Sequence, residues 1–156
     1  MTAALALEPF KLDAKASGLD LAERWLRQGL VAGLNGTLGT RPIEVSEGYV
    51  LFECALSPSH SNFVGIAHGG VAAALVDIAG GAAAMTLLAP GETLLTSDLA
   101  VRYLAPARLD AGPMTAQSRV THQVGRRVIA DVDIRVADKT VATGSVSVSI
   151  RSPSAS

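Results

Sequence analysis

Cysteine is nearly missing from this chain: Cys54 stands alone among 156 residues. No internal disulfide and no multi-cysteine metal site is then available, so the fold must rest on its hydrophobic core. Aromatic residues are also scarce, with one Trp, two Tyr and three Phe. That excludes a base-stacking platform for single-stranded nucleic acid. Excess charge is lacking too. Thirteen Lys and Arg against 14 Asp and Glu leave a formal net charge of −1, which offers little general attraction to nucleic acid or an anionic membrane. Met1 to Glu8 is apolar but has no basic region, so no signal peptide is read there. The most apolar run, Val71 to Leu88, carries glycines and Asp77 and has no charged flanks, which falls short of a membrane span. One cytoplasmic domain, long enough to bury a core, is the expectation.

What the chain does have is concentrated in that run and the His68-Gly69-Gly70 before it. A helix apolar all round is a buried helix. Asp77 is its only ionisable group, and such a group is costly there unless it is paired or used. At the other end, two glycines leave first-turn N–H groups uncovered at the positive end of the helix dipole. A carbonyl oxygen placed against Gly69 or Gly70 would be polarised. One helix cannot use both features on one substrate: eight residues put Asp77 roughly 12 Å along the axis from Gly69. If they act together, a second copy must bring its helix alongside, as a two-fold dimer would.

In chain order, residues 1 to 18 read as loosely ordered, 19 to 151 as one domain, and 152 to 156 as a disordered tail. Asp20 and Glu23 fit a capping box, Leu21, Trp25, Leu26 and Leu30 recur at helical spacing, and Asn35-Gly36 is expected to end that helix. Strands are expected over Arg41 to Ser46 and Tyr49 to Leu56, with a hairpin at Glu47-Gly48. Four more follow the long helix: Thr93 to Tyr103, Gly112 to Gln123, Arg127 to Ala137 and Thr140 to Ile150. The third alternates most clearly, Val128, Ala130, Val132, Ile134 and Val136 on one face against Asp131, Asp133 and Arg135 on the other. An α+β fold, an antiparallel sheet wrapped around one long helix, is the economical arrangement. His60 and His122 read as surface residues.

Asn62-Phe63-Val64-Gly65-Ile66-Ala67-His68-Gly69-Gly70, with Asp77 nine residues after the histidine, resembles the hot-dog-fold acyl-CoA thioesterases. The phenylacetate-degradation (PaaI-like) group is the most similar. The likeness runs from about Tyr49 to Ile150 and includes Asp98 to Ala107. It implies a sheet wrapped around the helix, a homodimer with sites at the subunit interface, and pairing of dimers into tetramers. It also implies roles: Gly69 N–H for the thioester carbonyl, the Asn62 side chain for placing thioester or water, Asp77 of the partner subunit as base or nucleophile, and Thr96 for orienting water. His68 belongs to the motif but reads as structural before catalytic. Arg126 and Arg127, after the Gly125 turn, are the candidates for the phosphates of coenzyme A, one of them at most. Coenzyme A is part of the substrate, and no metal or separate cofactor is called for, since a thiolate leaves readily.

The expected function is hydrolysis of an aryl- or medium-chain acyl-CoA to free acid and coenzyme A. Two other readings stand beside it: a non-catalytic acyl-CoA-binding domain, and an enoyl-thioester hydratase or dehydratase. The last is disfavoured because no histidine follows Asp77 in the helix.

Overall fold

The computed structural model describes residues 6–153. Expectations for residues 1–5 and 154–156 lie outside them. The first helix, α1, spans Gly18–Gln28. Its cap is Ser17, not Asp20. The Ser17 hydroxyl accepts from the Asp20 N–H at 3.1 Å while the Asp20 carboxylate accepts from the Ser17 N–H at 3.2 Å, a reciprocal capping box one turn earlier than the Asp20–Glu23 pairing expected. Gly29 ends it, with φ +76° and its N–H on the Trp25 carbonyl at 2.8 Å. Asn35-Gly36 therefore closes nothing; it lies inside a second short helix, α2, Leu34–Leu38. Before α1, residues 6–17 have no helix or strand, yet the Phe10 ring lies 5.8 Å from Trp25 and Ala16 is buried.

Six strands follow the pattern read from the sequence: β1 Thr40–Ser46, β2 Tyr49–Cys54, β3 Thr93–Tyr103, β4 Met114–Val124, β5 Arg127–Val136 and β6 Lys139–Arg151. They form one antiparallel sheet in the order β1-β2-β4-β5-β6-β3. The alternation in β5 and β6 is the alternation of burial: Val128, Ala130, Val132, Ile134 and Val136 turn inward, as do Val146, Val148 and Ile150. The long helix, α3, spans Gly69–Met85 and packs on five of the six strands. This is the hot-dog fold. Small residues let the helix lie close. A methyl at Gly80 would run into Val146, and one at Gly144 into Val76. Phe52, fully buried on β2, takes the Trp25 ring edge-on at 5.1 Å and so ties α1 to the sheet.

Two features position the site. The polar loop after β2 holds a single 3-10 turn, Pro58–His60, and His60 is buried rather than on the surface. Its Nδ1 accepts from the Ser57 N–H at 2.9 Å, so its Nε2 donates to the Leu38 carbonyl at 3.1 Å. Two backbone partners compensate the ring for burial, which the polar sequence around it did not reveal. The second feature is a bulge in β3. The pairing with β6 skips a residue between Thr96 and Asp98. The extra residue, Ser97, donates through its hydroxyl to the Ser147 carbonyl at 3.1 Å. Inward-facing parity thereby shifts from Leu94 and Thr96 to Leu99, Val101 and Tyr103.

Candidate active site

The start of α3 is built by the loop before it. Asn62 Oδ1 accepts from the N–H groups of Val64 at 2.9 Å and Ile66 at 3.3 Å, and Gly65 turns the chain with φ +87°. Those bonds occupy the Asn62 oxygen, and Asn62 lines a cavity. The His68 N–H donates to the His60 carbonyl at 2.8 Å, which brings the buried histidine's segment under the helix entry.

His68 is the N-cap. Its Nδ1 accepts from the Gly70 N–H at 2.8 Å, and its carbonyl from the Val71 N–H at 2.9 Å. The residue is exposed. Gly70 therefore does not offer the open N–H expected of it: its donor is spent on the cap. Gly69 is different. Its N–H has no acceptor among the described residues, and it lines a cavity of about 320 Å³ together with Asn62 and His68. At this helix end, one backbone donor is free to stabilise an oxyanion. Its carbonyl accepts from the Tyr103 hydroxyl at 2.8 Å. A methyl on Gly69 would stand 3.1 Å from the Tyr103 ring.

Tyr103 thus pins the first turn of α3 to the end of β3, a role the sequence did not single out. Its signal was its place in the Asp98-to-Ala107 segment, next to the scarcity of tyrosine. Two turns along the helix, the Thr96 hydroxyl donates to Asp77 Oδ1 at 2.7 Å. Asp77 is half-buried in the single chain, not sealed as its apolar neighbours implied. The face of α3 that carries Ala73, Ala74, Asp77, Ile78 and Gly81 is only partly covered.

The predicted residues fall into two groups. Asn62, His68 and Gly69 share one cavity with Tyr103, while Asp77 and Thr96 form a separate pair that does not line it. Arg126 borders an open groove of about 740 Å³ with Thr93, Leu95 and Arg151. Arg127 is exposed on β5 and does not line that groove, while Arg151 is a cation the sequence reading passed over. Among the described residues, no three His, Cys, Asp or Glu side chains converge as metal ligands. No helix of the described residues is long and apolar enough to cross a membrane.

The model of the thioesterase superfamily matches residues 64–143, the segment that holds His68, Gly69, Asp77, Thr96 and Tyr103. The chain belongs to the thioesterase superfamily. The resemblance read from the motif is borne out at that level, and the protein is a thioester hydrolase. A thioesterase of Haemophilus influenzae, HI1161, shares the fold with a TM-score of 0.75, 21% identity, and coverage of 91% of this chain and 96% of the other. A phenylacetic acid degradation-related protein of Ralstonia eutropha JMP134 gives a TM-score of 0.74 at 24% identity, covering 82% and 98%. In sequence, the SSO2140 protein of Saccharolobus solfataricus is 25% identical over 101 residues, 65% of this thioesterase and 70% of its relative.

Proposed function

We propose that this thioesterase hydrolyses acyl-CoA at sites shared by two copies of the chain. The observation that carries the reading is the division of the site residues into two groups, an oxyanion end at Gly69 and a carboxylate at Asp77, that one helix holds apart. The β3 edge supports a way to join them. It is an eleven-residue strand that, among the described residues, pairs only with β6, and Leu95, Leu99 and Tyr103 on it are exposed. A long open edge of this kind is a template for another strand. Antiparallel pairing of β3 with its two-fold mate sets the Thr96 end of one copy against the Tyr103 end of the other. Asp77 of the partner subunit then approaches Gly69, and the partly covered face of α3 is covered.

In this arrangement, the Gly69 N–H and the Asn62 NH2 hold the thioester oxygen. The Thr96 hydroxyl fixes Oδ1 of Asp77, leaving Oδ2 to take a proton from water. The hydroxide oxygen bonds to the carbonyl carbon, and the oxyanion forms against the Gly69 N–H. When the tetrahedral intermediate collapses, the C–S bond breaks and the thiolate takes the proton back from Asp77. Arg126, with Arg151 beside it, is placed to receive phosphates of coenzyme A; Arg127 is the weaker candidate. Pairs of dimers, and location in the cytoplasm, complete the reading.

Complementation tests it. Asp77→Asn and Asn62→Ala, each purified inactive, are mixed under exchange conditions and assayed for thiol release from acyl-CoA. Shared sites restore roughly a quarter of wild-type activity, since half the dimers are mixed and each carries one intact site. A mixture as inactive as its components refutes the shared site. Wild type that binds acyl-CoA but releases no thiol refutes acyl-CoA as the substrate.

A further inference from the structure

We propose that the cavity behind Gly69 is the acyl pocket, and that it selects small, uncharged, apolar acyl groups with Met114 as its floor. This rests on the acyl-CoA reading above and names the substrate class within it. Gly69 and Ala72, on the first turn of α3, both line the cavity. A carbonyl oxygen at the Gly69 N–H therefore directs the carbon chain inward. The space exists because small residues surround it: five of its lining residues are alanines, Ala67, Ala72, Ala105, Ala107 and Ala142. Leucine at any one of them would fill much of it. Met114 comes from the start of β4 and is 1% exposed, so the chain cannot extend past it without displacing a core side chain.

Chemistry narrows the class further. Among the described residues, no Asp, Glu, Lys or Arg lines the cavity. Its polar side chains are Asn62, His68 and Tyr103, all at the half-exposed or exposed side. The Tyr103 hydroxyl is given to the Gly69 carbonyl, and His68 Nδ1 to the Gly70 N–H. A carboxylate or hydroxyl carried deep on an acyl group would meet Ala72, Ala142 and Met114 and find no partner. At about 320 Å³ the cavity lies at the lower end of ligand pockets. That accommodates one ring or a short chain, not a long fatty acyl group. Methionine at the floor is unbranched and yields more readily than a β-branched residue, so the limit is set by length more than by width.

The test uses the full chain and thiol release from acetyl-, hexanoyl-, phenylacetyl-, lauroyl- and succinyl-CoA. Wild type is expected to show kcat/KM for hexanoyl- and phenylacetyl-CoA at least about tenfold above lauroyl- and succinyl-CoA. Met114→Ala raises the lauroyl-to-hexanoyl ratio at least about tenfold. Ala72→Val, which adds volume from the helix side should the first variant fold poorly, lowers the phenylacetyl-to-acetyl ratio by a similar factor. Folding of each variant is checked by circular dichroism. A folded variant whose acyl profile matches wild type, or wild type that prefers lauroyl- or succinyl-CoA, overturns the pocket assignment and leaves hydrolysis intact. No turnover of any acyl-CoA by wild type overturns the acyl-CoA reading, and the pocket assignment with it.

Discussion

Asp77 and Thr96 are nineteen residues apart in the chain and joined by a 2.7 Å hydrogen bond from hydroxyl to carboxylate. The bond orients Oδ1 and leaves Oδ2 open, so the two residues should fail differently. Asp77→Asn keeps the shape and removes the base; thiol release should fall about 10²- to 10⁴-fold. Thr96→Val removes only the orienting donor. Its kcat should fall about tenfold with KM little changed, and Thr96→Ser should recover most of it. Equal losses in Thr96→Val and Thr96→Ser would mean that packing, not the hydroxyl, matters.

Tyr103→Phe deletes the hydroxyl that holds the Gly69 carbonyl and nothing else. The cost to stability should be about 1 kcal/mol, read from chemical denaturation. Because the freed turn carries the oxyanion donor, kcat/KM should drop by more than stability does. Gly69→Ala meets the same ring at 3.1 Å and should lower kcat/KM as well. Unchanged kinetics in both variants would remove Gly69 from the mechanism.

His60 ties three segments together: Ser57 through Nδ1, Leu38 through Nε2, and His68 through its carbonyl. His60→Ala strands the Ser57 N–H and opens a hole in a buried position. A loss of about 2–4 kcal/mol is expected in urea unfolding. A change within 0.5 kcal/mol, about the size of an ordinary surface substitution, would show that the loop does not depend on it.

Cys54 is fully buried, and its thiol donates to the same Leu38 carbonyl at 3.0 Å. Burial pushes its pKa up from the ordinary value of 9.0 to about 11. The native protein should resist thiol reagents at neutral pH and react only as it unfolds. The sign of the linkage follows. Between pH 9 and 11 the unfolded chain has released the proton and the native chain has not, so stability is full below that window and falls as pH rises through it. Cys54→Ser should flatten that fall in pH-dependent unfolding curves.

The exposed apolar edge of β3 can be tested without changing Asn62, Gly69, Asp77 or Thr96. Leu95 is 59% exposed, and Leu95→Lys puts a charge on the edge, a common guard against strand pairing. Light scattering should show a shift toward monomer, with thiol release lost in proportion. A monomer of full activity would contradict shared sites.

Much of this was readable in the residues. The apolar character of Val71 to Leu88, Asp77 apart, marked the helix that packs on the sheet, and the period-two alternation in β5 and β6 marked a half-covered sheet. The motif from Asn62 to Asp77 marked the family. These signals are local: each depends on neighbours within a few positions. The sites of failure are local signals with non-local outcomes. Asp20–Glu23 and Ser17–Asp20 are both acceptable caps on paper, and packing of Gly18 beneath Met85 and Leu88 sits with the earlier one. His60 lies among serines and reads as exposed until α2 supplies Leu38.

The chemistry of the site divides along the same line. Sequence alone determined that a glycine-led helix start, a lone carboxylate and a threonine belong to this chain, and that one helix cannot bring the first two together. Only the tertiary structure decided which of two adjacent glycines keeps a free N–H, because that depends on where the His68 ring points. Only the bulge at Ser97 decided that Thr96 and Tyr103, an odd number of residues apart, both face α3. Covalent spacing sets reach along an element. Which groups meet across elements is set by sheet order, register and rotamer, and those are properties of the packed fold.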